Sequence, residues 1–146
     1  GEEMLRAARE AAHDEAARLK LTPPRLLAVT VLTSLDEGDL ARHGVAGPVG
    51  EQVVRLAELA RRAGIDGIVS SPREIAAIRA ACGDGFDIVV PGIRPGGGAT
   101  QDQKRVMTPG EAGRARARAR GIGRPNTGAA DPAQAAAEIR REVDAA

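Results

Sequence analysis

Short apolar runs alternate with longer amphipathic stretches along the chain. Three of these runs, at 26–32, 65–69 and 86–90, have the length of a strand and are followed by polar residues, Pro or Gly. The first is almost continuously apolar, which predicts a strand buried on both faces. The stretches between the runs repeat apolar residues at every third or fourth position, which predicts amphipathic helices packed on a sheet.

Helices are predicted before the first strand and after each strand. A surface helix with one apolar face is expected over 2–19, and a second amphipathic helix over 53–63, with a loop at 44–50 between it and the preceding helix. Four further helices are expected to begin at residues that can cap a helix N-terminus, namely Ser34, Ser71, Thr108 and Asp131. Three of these caps are followed by Pro, a residue favoured at the first helical position.

The predicted order of elements is a helix followed by four units of strand and helix. Such alternation is typical of a parallel sheet with right-handed crossovers, which places the chain in the α/β class. The sequence has no low-complexity linker that would mark a domain boundary. We therefore expect residues 1–146 to form part of a single domain.

The segment from Arg114 to Arg120 departs from this pattern because arginine and alanine alternate in it. As a strand it would present all four arginines on one face, and unpaired charge is costly inside a barrel. One interpretation is a basic patch for nucleic acid. The other, which we favour, is an arginine-rich helix end followed by a degraded last strand.

Composition narrows the possible functions. The formal net charge of the 146-residue chain is +1, so overall electrostatics favour neither nucleic acid nor an acidic membrane as partner. Cys82 is the single cysteine, which excludes an internal disulfide and indicates a reducing cytoplasm. No apolar run approaches the roughly 20 residues of a membrane span.

Two glycine-rich turns that contain arginine follow predicted strands. Arg94 lies shortly after the strand at 86–90 and precedes three glycines, and Gly123 and Arg124 lie in the turn at 121–125. Glycine lets backbone N–H groups approach a ligand closely, and arginine supplies a charged donor that can bind in a bidentate manner. The two turns together predict a phosphate site.

Four segments, LAVTVLTS (27–34), VVPGIRP (89–95), DQKRVMTP (102–109) and GIGRPNT (121–127), resemble the orotidine 5′-phosphate decarboxylase family. They occur in the family's order and extend over nearly the whole chain. The resemblance implies a (β/α)8 TIM barrel, which needs about 200 to 250 residues. We therefore expect a partial barrel of about four βα units preceded by a helix, the C-terminal portion of one barrel domain.

The resemblance implies that the chain binds orotidine 5′-monophosphate, the substrate that the family converts to uridine 5′-monophosphate and carbon dioxide. Thr33 and Ser34 would contact the substrate, with Ser34 at the pyrimidine edge. The other implied substrate contacts are Arg94, Gln103, Gly123 and Arg124, of which Gln103, the Gly123 N–H and the Arg124 side chain would bind the phosphate. Thr33 and Ser34 could equally be a strand end and a helix cap.

The catalytic Asp-x-Lys-x-x-Asp constellation of the family does not occur in this sequence. We therefore expect no catalytic residue here. The resemblance also implies no metal and no cofactor, and a cytoplasmic homodimer for the complete enzyme. The open alternatives are a related barrel enzyme acting on a sugar phosphate, and a non-catalytic fragment or arginine-rich binding module.

Two departures from the family pattern surround Arg124. Asn126 replaces an apolar residue, and Arg120 and Gly121 replace apolar residues of the last strand, which would loosen the element that aims Arg124. A partial barrel is also expected to leave unpaired edges at the strands that begin at Leu26 and Phe86.

Overall fold

Four parallel strands in sequential order form the centre of the computed structural model, which describes residues 1–94, 107–114 and 117–145. The strands are β1 (Leu27–Val29), β2 (Gly67–Val69), β3 (Asp87–Val90) and β4 (Ala119–Arg120), and each pairs with the next. Because no strand is skipped, the sheet has the order of a barrel wall rather than that of a doubly wound sheet. The expected partial barrel is confirmed.

Seven α-helices connect and flank the strands in the described residues. They are α1 (Glu2–Leu19), α2 (Glu37–Arg42), α3 (Val49–Arg62), α4 (Ile75–Cys82), α5 (Pro109–Arg114), α6 (Arg124–Thr127) and α7 (Pro132–Asp144). A 3-10 turn over Pro72–Glu74 precedes α4. The order is one helix and then four βα units, as the sequence predicts. Helix α3 begins at Val49, before Gly50, so part of the predicted loop at 44–50 is helical.

One face of the sheet packs against helices and forms the core. Ile68, Ile88 and Val90 are on this face, and each is fully buried. Val53, Ala57 and Ala60 of α3 are fully buried as well and belong to the same cluster. Small residues on the helix let it approach the sheet closely, so this side of the molecule has a closed core without a large aromatic contribution.

The opposite face of the sheet is open. Leu27 and Val29 of β1 retain 42% and 59% of their accessible surface, and Val69 and Val89 in the next two strands are only partly buried. The prediction that the strand at 26–32 is buried on both faces is therefore wrong. Among the described residues its outer edge has no neighbouring strand, and its Leu27 and Val29 side chains remain exposed.

The edges of the sheet are β1 and β4, not β1 and β3. Strand β3, which follows Phe86, pairs with β2 on one side and with β4 on the other. The expectation of a free edge at Phe86 is therefore wrong. A two-residue strand formed by Ala119 and Arg120 is enough to cover that edge, so the alternating arginine segment does supply a last strand, although a very short one.

Most predicted helix caps are confirmed, and one is displaced. The side chains of Ser71 and Asp131 accept hydrogen bonds from the backbone N–H groups of Arg73 and Gln134. Thr108 and Glu111 make a reciprocal capping box. The predicted cap at Ser34 is wrong.

The cap of α2 is Asp36, which forms a reciprocal box with Asp39. Because Asp is at least as good a cap as Ser, the helix starts two residues later and leaves Ser34 in the connection from β1.

None of the described helices is long and apolar enough to cross a membrane.

Candidate substrate site

A cleft of about 570 Å³ lies at the carboxyl ends of the four strands. In barrel enzymes this is the end at which the active site lies. The segment from β1 contributes Thr33 and Ser34, the segment from β3 contributes Arg94, and the segment from β4 contributes Gly123 and Arg124. The fold thus brings five of the six predicted site residues to one cleft. Gln103 lies outside the described residues.

Thr33 and Ser34 approach the cleft through a turn that follows β1. The Thr30 N–H and hydroxyl both donate to the Val69 carbonyl, at 3.1 and 2.8 Å, which fixes the end of the strand against β2. The Leu35 N–H then donates to the Leu32 carbonyl and closes the turn. Thr33 is buried and Ser34 is partly buried. Both are therefore held by backbone bonds made by their neighbours.

Arg94 is a buried cation, with only 6% of its surface exposed. Gly92, with φ of 71°, turns the chain after β3 in a conformation that L side chains rarely adopt. Ile93 then forms a parallel bridge with Met107, and the Arg94 N–H donates to the Met107 carbonyl at 3.0 Å. The backbone on both sides of the segment 95–106 is thereby joined at the cleft.

The Arg94 guanidinium is only partly satisfied by protein groups. Its Nη1 donates to the Ile93 carbonyl at 3.1 Å, whereas its Nε is buried and has no hydrogen-bond partner among the described residues. A buried charge without full hydrogen bonding is costly and favours an additional partner such as an anion.

Gly123 and Arg124 follow β4 at the start of α6. The Gly121 N–H donates to the Val90 carbonyl at 2.7 Å and attaches this turn to the end of β3. The Gly123 carbonyl accepts the N–H groups of Asn126 and Thr127. A Cβ added at Gly123 would meet no atom within 4 Å, so the space beside its backbone is open.

The charge of the cleft is one-sided. Among the described residues that line it, Arg94 and Arg124 are cationic and none is acidic. Two arginines that line one cleft favour the binding of an anion, and phosphate fits the bidentate geometry of arginine.

Outside the cleft, the described residues include few groups suited to metal binding or nucleophilic catalysis. No group of three or more His, Cys, Asp or Glu residues in the described part is placed to hold a metal ion. Cys82 lies outside the cleft, and burial raises the pKa of its thiol, which keeps it in the unreactive protonated form.

Ser70 also lines the cleft, although no sequence motif pointed to it. It is almost fully buried and comes directly after β2, as Thr33 and Arg94 come after β1 and β3. The sequence signal that could have identified it is its position as a polar residue directly after a predicted strand.

Comparison with known proteins identifies the family that the chain resembles in sequence. The family model described as "Orotidine 5'-phosphate decarboxylase / HUMPS family" matches residues 1–139. The chain is 55% identical over 143 residues to orotidine 5′-phosphate decarboxylase from Rhodospirillum rubrum, a match that covers 98% of this chain and 58% of the relative. The corresponding protein of Moorella thermoacetica is 54% identical over 145 residues, covering 99% of this chain and 58% of the relative.

Similarity to a solved structure extends over the same part. The crystal structure of orotidine 5′-phosphate decarboxylase from Lactobacillus acidophilus superimposes with a TM-score of 0.81 at 34% sequence identity, covering 99% of this chain and 59% of the other. The chain thus spans about 58% of the length of each of these two curated relatives. On the match of the family model and on these identities, the chain belongs to the orotidine 5′-phosphate decarboxylase / HUMPS family.

Proposed function

We propose that this chain is the substrate-binding portion of an enzyme that decarboxylates orotidine 5′-monophosphate to uridine 5′-monophosphate. The observation that carries the proposal is that Arg94 and Arg124 line the same cleft. A nucleoside monophosphate offers such a cleft both a dianionic phosphate and a polar base. The names of the relatives support this choice of nucleotide.

In this proposal the two arginine-containing turns contact different parts of the substrate. Gly123, through its backbone N–H, and Arg124, through its guanidinium, hold the phosphate, and Gln103 adds a contact from its own segment. Arg94, at the end of β3, supplies a further charged donor to the substrate. Thr33 and Ser34 lie beyond the end of β1, with Ser34 at the pyrimidine edge. The open space beside Gly123 supports this arrangement, because a ligand oxygen can approach its backbone.

The chemical step needs groups that this sequence does not contain. A decarboxylation of this kind depends on preorganised charges near the departing carboxylate and on an acid that protonates the resulting carbanion. The residues described here bind and orient, and they exclude water from the buried Arg94. Because the phosphate is remote from the breaking bond, its binding energy can serve the transition state as well as the bound substrate.

We infer further that the complete enzyme acts as a homodimer in the cytoplasm, and that it needs no cofactor or metal. The family resemblance supports the dimer and the cofactor-free chemistry. The single free cysteine, Cys82, is compatible with a reducing compartment.

The proposal is tested by comparing two ligands on two variants. We expect the 146-residue chain to bind uridine 5′-monophosphate more tightly than uridine in isothermal titration calorimetry. Arg124→Ala should weaken binding of the monophosphate about tenfold to a hundredfold, because it removes a charge-assisted contact of roughly 1.5 to 3 kcal/mol. The affinity for uridine should change little.

Arg140→Ala is the matched control, because Arg140 is a highly exposed arginine of α7 that does not line the cleft. It should leave both affinities unchanged. Equal affinity of the wild-type chain for uridine and its monophosphate would contradict the proposed phosphate site. So would an Arg124→Ala loss of the same size for both ligands.

A further inference from the structure

Asp87 is a buried carboxylate outside the cleft. It begins β3, and its side chain retains 9% of its exposure. Two arginines reach it from opposite sides. Arg25, which precedes β1, lies 2.7 Å from Asp87 Oδ2, and Arg118, which precedes β4, lies 3.1 Å from Oδ1. One carboxylate therefore joins the beginnings of three strands.

The neighbouring strand leaves room for this connection. Gly67 of β2 pairs with Asp87 and lies between β3 and β1 in the sheet. A Cβ at Gly67 would stand 2.3 Å from the Asp87 carbonyl oxygen and 2.4 Å from the Asp87 Cβ. With no side chain on the intervening strand, the Asp87 carboxylate can reach Arg25 two strands away.

The two ion pairs contribute to the stability of the fold because Asp87 is buried. Exposed ion pairs contribute little, and both arginines are more than half exposed. A buried carboxylate without a partner, however, is strongly unfavourable. Each arginine is therefore held in place because the buried Asp87 carboxylate requires a positively charged partner.

Among the described residues, strand β4 has few other backbone attachments. It has two residues and pairs only with β3 in the described sheet. The backbone bonds flanking this pairing are those from the Arg118 N–H to the Ile88 carbonyl, at 3.0 Å, and from the Gly121 N–H to the Val90 carbonyl. Gly123 and Arg124 follow directly. A slip of β4 by one residue would move them about 3.3 Å and invert which side chains face each side of the sheet.

The alternating sequence makes the register depend on Asp87. A slip of one residue would put Ala117 or Ala119 in the place from which Arg118 reaches the buried carboxylate, so the ion pair opposes it. A slip of two residues would bring another arginine to Asp87. It would also break the hydrogen bond from the Ala117 N–H to the Ala112 carbonyl, at 3.2 Å, and displace the buried Ala117 from the core.

We propose that Arg118, through its ion pair with Asp87, is a positioning residue that fixes the register of β4 and thereby holds Gly123 and Arg124 at the cleft. The inference rests on the proposed phosphate site. It also gives the arginine segment a role within the fold, since one of its arginines neutralises a buried acid.

The test compares the two arginines that share the carboxylate. Arg118→Gln should raise the Kd for uridine 5′-monophosphate about tenfold, because β4 loses its anchor. Arg25→Gln is the matched control, since it removes the other ion pair of Asp87 without touching β4, and it should change the Kd less than twofold. Arg118→Lys, which keeps the charge, should restore most of the affinity.

A second measurement reads the register without any ligand. Hydrogen exchange of the Gly121 amide, which bonds to β3, should be accelerated at least tenfold in Arg118→Gln and not in Arg25→Gln. Equal effects of the two substitutions on Gly121 exchange would overturn the proposal and make the cluster merely stabilising. Unchanged Gly121 exchange in Arg118→Gln would also overturn it. If the wild-type chain fails to bind the monophosphate, the proposed function fails, and the exchange experiment still decides the role of Arg118.

Discussion

At Gly67 the second and third strands approach each other so closely that no side chain fits between them. The nearest atoms to an added Cβ belong to the Asp87 backbone and Cβ, which cannot rotate away. The requirement for glycine therefore arises from contact with a neighbouring strand and not from an unusual φ angle.

Gly67→Ala should destabilise the chain by about 1 to 3 kcal/mol, the usual cost of overpacking a buried position. Urea unfolding followed by circular dichroism measures the change. Gly85→Ala is the control, because a Cβ there meets nothing within 4 Å and should leave the midpoint nearly unchanged. Equal stability of wild type and Gly67→Ala would show that the two strands can separate without cost.

The structural roles of residues could be predicted from sequence where nearby positions in the chain decide them. Thr108 and Asp131 were identified as caps from sequence because capping depends on positions only three residues apart. Ser34 was assigned wrongly because Asp36 competes for the same helix. The partners of Asp87 were not predicted, since Arg25 and Arg118 are 62 and 31 residues away in the chain.

Among the elements, β1 is the most exposed part of the sheet. Leu27 and Val29 present apolar surface on a strand whose outer edge has no partner among the described residues. Such an edge can pair with another chain.

We expect concentration-dependent self-association of the chain, and Val29→Lys should reduce it, because lysine on an edge strand opposes edge-to-edge pairing. Sedimentation velocity at several concentrations measures the effect. Met4→Lys places the same charge at an exposed apolar position of α1 and should have a smaller effect. Association unaffected by Val29→Lys would exclude this edge as the contact.

The types of element could be predicted because hydrophobic periodicity differs between strand and helix. The pairing of the strands was harder to predict. The run at 26–32 has the apolar character of a buried strand, but its burial depends on what lies beside it. The two-residue strand at Ala119 and Arg120 is defined by backbone bonds to β3, so its alternating side chains gave only an ambiguous signal.

For the whole molecule, the absence of the family's catalytic constellation from this sequence has a direct consequence for activity. The sequence lacks the Asp-x-Lys-x-x-Asp constellation of the family, and the described cleft lining contains no acidic residue. Without charges that distinguish the transition state from bound substrate, binding alone does not accelerate the reaction.

The 146-residue chain should therefore show no turnover of orotidine 5′-monophosphate above the uncatalysed rate. The loss of orotidine absorbance, followed with high concentrations of purified chain, measures this. Turnover that scales with the concentration of the chain and disappears in Arg124→Ala would contradict the expectation and place a reacting group within these residues.

The barrel architecture and the predicted site residues came from the family resemblance, and five of those residues meet at one cleft because parallel strands have their carboxyl ends at the same edge of the sheet. Thr33, Arg94 and Arg124 are far apart in the chain, yet each follows a strand of the same parallel sheet. Ser70 follows the same logic and was missed only because no motif drew attention to it. Gln103 stays a prediction.

The bridge between Ile93 and Met107 also bears on how such a protein can evolve. Because these two residues are joined at the cleft, the backbone around Arg94 is fixed independently of the number of residues between them. Doubling the length of a closed loop costs only about 0.6 kcal/mol of additional entropy. A change in the number of residues between positions 95 and 106 should therefore leave the placement of Arg94 unchanged, while the proposed phosphate contact of Gln103 restricts where such a change is tolerated.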